Sequence, residues 1–277
     1  MNNENDSILF DILGALDREI DLPDVLYHYT DSKAFLGIVD SNELWATDWR
    51  YLNDENELVY GLNLLKSFLR EKGRKYSSFF PIIDQIEQTG LLRNIGVSGV
   101  FCFSEKGDLL SQWRGYGKGY DSVSIGFDPN LLRHHLTGSP DGPFLVKVVY
   151  DVVEQKTILD KVLSAIDGKL NNPSFIDVAL PLYFTLLFFK DECWKEETEW
   201  RVLSFALDAK MIRFRSDYSG LVPYMPLKIF PTNAERSIKE IIVPKSKYFA
   251  RNTNAIEILM PSLKGRIKQS SISIDYG

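Results

Sequence analysis

A histidine and a threonine close to the start of the chain could hold one ligand between them. His28 and Thr30 lie two residues apart, at the end of the β-branched and aromatic stretch that starts at Val25 and predicts a strand. Residues two apart on a strand share a face. A neutral imidazole and a hydroxyl can hydrogen-bond a sugar or an amide without adding charge, which suits a nucleotide cleft. The alternative is a core histidine and a threonine that caps the helix predicted from Asp31.

A second candidate is the late acidic segment Glu-Thr-Glu-Trp-Arg at 197–201. If it enters a strand, Glu197, Glu199 and Arg201 share one face. Of two paired carboxylates, one can position a substrate while the other stabilises a developing cation, and Arg201 can hold one of them ionised. Lys190 lies just upstream as a supporting cation. A solvated, ion-paired strand face explains the same pattern.

An aromatic segment forms a third candidate. Residues 111–117 are too aromatic for a solvated linker and too rich in glycine for an ordinary long helix. Trp113 and Tyr116 are three apart, so on a helix they would be neighbours and could form a platform for a planar ring, near Ser104. Packing of both rings in the core explains them equally well.

The acidic segment Asn53-Asp54 with Glu57 is typical of a helix N-terminus, where an Asx side chain caps the helix and negative charge is favourable. The residues could also support a site. Because carboxylate clusters suit magnesium, a metal-dependent phosphodiesterase or nuclease is the rival enzyme hypothesis. It would use Asp54, Glu57, Glu197, Glu199 and Lys190.

Composition narrows the function classes. The 277 residues include 38 acidic and 32 basic side chains, a net charge of −6, so the chain lacks the global positive field of non-specific nucleic-acid binding. Two cysteines and three histidines form no disulfide framework and no metal-ligand spacing. The acidic N-terminus is unlike a signal peptide, and the longest apolar run, Leu180–Phe189, is too short to cross a bilayer. We expect a cytoplasmic protein without a resident metal.

The chain is expected to form one domain over 1–277. A peripheral helix spans 3–20, a core spans 25–243, and a helix after Asn252 and a strand at Ser271–Ile274 occupy the C-terminal part, 244–277. Helices interleave early and strands follow one another late, which predicts an α+β fold with a mostly antiparallel sheet and helices on its faces. Neither GxGxxG nor a Walker A sequence occurs.

These segments resemble a bacterial family known as a domain of unknown function. Its motifs are Tyr-His-Tyr-Thr, Leu-Trp, Asn-Asp with a following Glu, Cys-Phe-Ser, Trp-x-x-Tyr, Ile-Gly-Phe and Glu-x-Glu-x-Arg. In this chain they stand in the same order at Tyr27–Thr30, Leu44–Trp45, Asn53–Asp54 with Glu57, Cys102–Ser104, Trp113 with Tyr116, Ile125–Phe127, and Glu197, Glu199 and Arg201.

The strand, His-x-Thr and helix at the start also resemble ADP-ribosyltransferases, especially the branch of DNA-targeting toxins, and the Glu-x-Glu is similar to their catalytic strand. The resemblance implies a split sheet. It implies that His28 and Thr30 bind NAD and that Tyr29 or Tyr116 packs on nicotinamide. It also implies that Glu199 is the catalytic carboxylate and that Glu197 assists.

The expected function is therefore transfer of ADP-ribose from NAD to a macromolecular or nucleotide acceptor, in a defence or toxin setting. Breaking the glycosidic bond to nicotinamide develops positive charge on the ribose, and an ionised carboxylate stabilises it. The alternatives are the metal-dependent phosphodiesterase or nuclease and a non-catalytic nucleotide-binding module.

Overall fold

A computed structural model describes residues 21–52, 56–89, 97–117, 120–136, 143–169, 175–206, 208–217, 220–228 and 237–273. The expected helix at 3–20 lies outside these residues, as do Asn53 and Asp54. Ten strands occur in the described part: β1 (Leu26–Asp31), β2 (Glu43–Asp48), β3 (Ser98–Ser104), β4 (Ser122–Phe127), β5 (Phe144–Lys147), β6 (Glu199–Phe205), β7 (Arg213–Asp217), β8 (Gly220–Lys228), β9 (Ile238–Val243) and β10 (Ile267–Gln269).

Eight α-helices connect or cover these strands within the same residues. They are α1 (Ser32–Ser41), α2 (Asn56–Lys72), α3 (Phe80–Thr89), α4 (Leu110–Tyr116), α5 (Pro129–Leu136), α6 (Val152–Lys169), α7 (Phe175–Leu186) and α8 (Phe249–Leu259). The apolar run that starts at Leu180 lies in α7 and the turn after it, buried as its composition predicts. No helix in the described ranges is both long and apolar enough to cross a membrane.

The strands form one sheet in the order β10-β9-β4-β1-β3-β2-β8-β7, and β6 pairs with β3 and β5. All of these pairs are antiparallel except β9–β10, which is parallel. The predicted α+β class with a large sheet and helices is therefore confirmed, and the sheet is mixed rather than purely antiparallel.

The last strand lies earlier than the sequence predicts. β10 ends at Gln269, and the described residues of Ser271–Ile274 are not a strand. The side chain of Asp108 accepts hydrogen bonds from Ser270 Oγ at 2.5 Å and from the backbone N–H of Ser271 at 2.7 Å. These bonds hold Ser270 and Ser271 in a turn. The strand expected at Ser271–Ile274 is therefore wrong.

The strand β3 is the junction of the sheet. One of its edges pairs with β6 over the whole strand, Ser98–Ser104. Its other edge pairs with β2 only near Gly99 and Val100, and with β1 only at Ser104, opposite Tyr27. The sheet therefore opens between β1 and β3 over the residues that lie between these two contacts.

Two hydrophobic cores cover the two faces of this sheet. Alternation along a strand sends successive side chains to opposite faces: on β6, Val202 belongs to the core with α1, α5 and α8, while Leu203 belongs to the core with α2, α3, α6 and α7. On β3, Val100 and Phe101 divide in the same way. The two cores pack against opposite faces of the strands on each side of the gap between β1 and β3. The gap is therefore bordered by strands whose side chains are buried.

Candidate functional site

A cleft of about 340 Å³, including its open mouth, lies at the gap between β1 and β3. Four elements line it: Tyr27, His28 and Tyr29 on β1; Cys102 and Phe103 on β3; Gln112 and Tyr116 on α4; and Glu199 at the start of β6, with Glu197 just before that strand. The early histidine and the late acidic pair, some 170 residues apart in the chain, thus face the same space.

The geometry of His28 fixes its protonation. Its Nδ1 lies 2.9 Å from the carbonyl oxygen of Cys102, and since a carbonyl can only accept, Nδ1 carries the proton. The ring packs 4.2 Å from that of Phe101. Burial lowers the pKa of His28 to about 4, although the bond to Cys102 opposes the shift. The imidazole is therefore neutral at pH 7, and its Nε2 is an acceptor that makes no hydrogen bond to any described residue.

Five charged side chains form an ion-pair cluster along one wall of the cleft, which Glu197 and Glu199 line. Lys190 Nζ lies 3.0 Å from Glu57, 2.5 Å from Glu197 and 3.1 Å from Glu199. Arg201 donates from Nε to Glu199 at 2.8 Å and from Nη2 to Glu57 at 2.6 Å. Three carboxylates thus face two cations, and the fully ionised cluster keeps one net negative charge beside the cleft.

The two cleft carboxylates differ in acidity. Burial would raise the pKa of Glu199, but the charges of Arg201 and Lys190 outweigh it and hold the pKa well below the usual range. Burial raises the pKa of Glu197 because Lys190 only partly compensates. Glu199 is therefore ionised at neutral pH, and Glu197 is the weaker acid of the pair. Burial would lower the pKa of Lys190, but the surrounding carboxylates raise it well above its usual value.

The acidic pair does not share one strand face as predicted. Glu197 ends a 3₁₀ turn, Glu192–Glu197, and β6 begins only at Glu199. Thr198, between them, has φ of 42°, a left-handed conformation that breaks the alternation. Ser104 Oγ donates to the Glu197 carbonyl oxygen at 2.7 Å and holds this bend. Glu199 and Arg201 do share a strand face. Glu197 is linked to Glu199 through Lys190, which contacts both carboxylates.

Trp113 and Tyr116 do not form the predicted aromatic platform together, because only Tyr116 of the two lines the cleft. Trp113 is fully buried, donates from Nε1 to Asp108 at 2.8 Å, and meets the Tyr29 ring edge-on at 5.0 Å. It does not line the cleft. Tyr116 lines it, and the residue is 43% exposed. The ring of Tyr29 reaches the cleft, while its hydroxyl donates to the Lys106 carbonyl oxygen. Of the aromatic residues that line the cleft, Tyr116 is thus the most exposed.

Four of the predicted residues are not among those that line the cleft. Thr30 and Ser104 are buried and do not line it, and Ser104 holds the loop that carries Glu197. Glu57 and Lys190 belong to the ion-pair cluster. Sequence reasoning missed Gln112, which lines the cleft one helical turn before Tyr116. The i, i+4 spacing of these two residues on α4 was the available signal.

The cluster does not have the form of a metal centre. Within the described ranges, no group of three His, Cys, Asp or Glu side chains is arranged to hold a metal ion. Glu57, Glu197 and Glu199 instead direct their oxygens at Lys190 and Arg201. The rival hypothesis also used Asp54, which lies outside the described residues.

Comparison with known proteins gives a partial family match. Residues 112–202 match the model of a family described as protein of unknown function (DUF2971). That segment carries Gln112, Tyr116, Lys190 and the acidic pair, while His28 and Glu57 lie outside it. No curated protein matches the chain.

One similar solved structure is that of DarT from Thermus sp. 2.9 in complex with ADP-ribosylated single-stranded DNA. It is 12% identical and aligns over 90% of this chain and 93% of that one, with a TM-score of 0.31. A likeness at this level is too weak to support an argument about function.

Proposed function

We propose that the cleft binds NAD and that the protein transfers ADP-ribose from it to a macromolecular or nucleotide acceptor. The observation that carries the proposal is that His28 and the Glu197–Glu199 pair line one cleft together with Tyr116. A neutral acceptor, an aromatic face and an acidic pair that includes the ionised Glu199 are groups that suit a nicotinamide riboside.

The reaction needs a negative charge next to the ribose. When the bond between C1′ and the nicotinamide nitrogen breaks, its electron pair leaves with nicotinamide and positive charge develops on the ribose. The acceptor nucleophile then bonds to C1′ and releases a proton. A fixed carboxylate in a site that is partly closed to water stabilises that charge more than it would in bulk solvent.

The contacts suggest a division of roles within the acidic pair. Both oxygens of Glu199 are bonded to Arg201, and Oε2 also accepts from Lys190, so Glu199 supplies the fixed charge. Glu197 bonds Lys190 through Oε2, and its Oε1 accepts no hydrogen bond from the residues that the structure describes. We assign Glu197 Oε1 to the ribose hydroxyl and Glu199 to the electrostatic stabilisation of the cation.

The remaining site residues receive supporting roles in this proposal. His28 Nε2 accepts a hydrogen bond from the dinucleotide, and Tyr116 packs on the nicotinamide ring. Ser104 and Trp113 act from outside the cleft, because their hydrogen bonds hold the acidic loop and α4 in place. The Tyr29 ring lines the cleft and contacts Trp113, while its hydroxyl bonds the segment before α4. Thr30 lies opposite Val123 in the pairing of β1 with β4.

The direct test is transfer of label from NAD. Purified protein is incubated with NAD labelled in the adenylate and with cell lysate, and free nicotinamide is measured in parallel. We expect labelling and nicotinamide release by the wild type and a loss of at least tenfold in Glu197→Gln. Glu71→Gln is the matched control, since Glu71 is an exposed carboxylate paired with Lys156.

Two outcomes would count against the proposal. Labelling that is equal in the wild type and Glu197→Gln removes that carboxylate from the reaction. Tight NAD binding by the wild type without nicotinamide release favours a non-catalytic nucleotide-binding module, a function consistent with the complete pairing of Glu199 by cations.

A further inference from the structure

The side chain of Gln112 has an unused carboxamide in the cleft. Gln112 is 8% exposed and lines the cleft from α4. Among the described residues, none forms a hydrogen bond with its amide. The amide atoms are accessible from the cleft, where a ligand can reach them. A ligand that pairs with both the donor and the acceptor of the amide would replace water there, so the position favours a ligand with a matching donor and acceptor.

The orientation of Gln112 is set by its neighbours in the helix. Trp113 is fixed on the opposite side, through its bond to Asp108 and its edge-on contact with Tyr29. That anchor fixes the rotation of α4 and turns Gln112 and Tyr116, one helical turn apart, toward the cleft. Side chains at i and i+4 have Cβ atoms about 5–6 Å apart. The two side chains can therefore contact neighbouring parts of one small ligand.

We propose that Gln112 recognises the primary carboxamide of nicotinamide while Tyr116 packs on the pyridine ring, so that Gln112 determines specificity for the amide. The proposal rests on the proposed function and deepens it. A side-chain amide can donate to the carboxamide oxygen and accept from the carboxamide N–H₂, which makes two complementary hydrogen bonds. A ligand without the N–H₂ group would leave the Gln112 oxygen unpaired again.

The test compares two dinucleotides of equal charge that differ only at this group. NAD carries the carboxamide, and 3-acetylpyridine adenine dinucleotide has a methyl group in place of the amide nitrogen. Calorimetric affinities are measured for the wild type, for Gln112→Met, which keeps the length of the side chain but removes its polar atoms, and for Ser111→Ala. Ser111 is the exposed neighbour on α4 and serves as the control.

We expect the wild type and Ser111→Ala to bind NAD about tenfold more tightly than the acetyl analogue, as the loss of one hydrogen bond of about 1.4 kcal/mol would give. In Gln112→Met the affinity for NAD falls and the ratio approaches one. Circular dichroism and thermal unfolding verify that the variant is folded. Equal affinity of the wild type for both dinucleotides, or an unchanged preference in Gln112→Met, overturns the role of Gln112 and leaves the proposed function standing. A wild type that binds neither dinucleotide overturns the proposed function itself.

Discussion

At the scale of single residues, His28 acts as a structural donor and a free acceptor at the same time. Its Nδ1–H satisfies the Cys102 carbonyl oxygen that β1 leaves unpaired at the gap, and its Nε2 remains available to a ligand. The two roles use different nitrogens, so they can be separated by mutation.

His28→Asn should separate them. The asparagine amide reproduces the Nδ1 donor but has neither Nε2 nor a titration. The pKa of His28 is lowered from 6.5 to about 4, so its neutral form stabilises the fold fully above pH 6.5, and this contribution is lost as the pH falls toward 4. The total loss is at most about 3 kcal/mol. Urea unfolding at pH 7 and pH 4.5 should show a smaller pH-dependent decrease in His28→Asn than in the wild type.

An equal decrease in both proteins would mean that His28 is not the group that titrates. Binding provides the second readout: His28→Asn should bind NAD more weakly at pH 7 while its stability at that pH stays close to that of the wild type.

The two cleft carboxylates should differ in their effect on stability. Glu199 is paired on both oxygens with buried cations, so Glu199→Gln removes the charge-assisted bonds that it makes to Arg201 and Lys190 and should cost about 3–5 kcal/mol. Glu197→Gln should cost clearly less, since burial already raises the pKa of Glu197 and Lys190 keeps two other carboxylates. Chemical denaturation at pH 7 measures both values. A larger loss in Glu197→Gln would reverse the proposed roles.

At the scale of elements, the segment that leads from β3 into α4 is packed against β1. A Cβ atom on Gly107 would lie 2.6 Å from Cδ1 of Tyr27 and 2.7 Å from Cδ1 of Ile242. The Tyr27 ring cannot move freely, because its hydroxyl donates to Glu240 at 2.9 Å. Gly107 thus packs directly against Tyr27, whose side chain lines the cleft.

Gly107→Ala should therefore destabilise the protein by about 1–3 kcal/mol through overpacking, and it should also weaken NAD binding. The matched control is Gly115→Ala on α4, where an added Cβ meets nothing within 4 Å. That substitution should be neutral or stabilise by up to about 1 kcal/mol, since alanine favours a helix over glycine. Thermal unfolding compares the two variants; an equal effect of both would contradict the close packing of Gly107.

The sequence predicted the elements of the site better than their junctions. Alternation and β-branching indicated β1 and β6, and with them His28, Glu199 and Arg201. The bend at Thr198 was missed, because a left-handed threonine has no local sequence signal. Gln112 was not predicted, because the i, i+3 pair Trp113 and Tyr116 indicates a different face of α4 from the one that lines the cleft. Glu57 was read mainly as part of a helix N-terminus, and its link to Arg201, 144 residues away, depends on tertiary packing.

At the scale of the whole molecule, one edge of β3 pairs with two different strands, β2 and β1, and leaves a gap between β1 and β3. This gap explains how residues from both faces of the sheet reach one cleft. His28 packs on Phe101, which belongs to one core, whereas Arg201 and Glu199 lie on the other face of β6, with Leu203. An unbroken sheet would separate these groups by a layer of backbone. Because β1 pairs with β3 at a single position, the gap connects the two faces.

The most direct measurement is a crystal structure of the protein with a non-hydrolysable carbocyclic analogue of NAD. The proposed function predicts one dinucleotide in the gap between β1 and β3, with a hydrogen bond to His28 Nε2, the nicotinamide ring on Tyr116, and the ribose beside Glu197. Ligand bound elsewhere, ligand that contacts only the histidine or only the acidic side, or an empty gap at saturating analogue would contradict it.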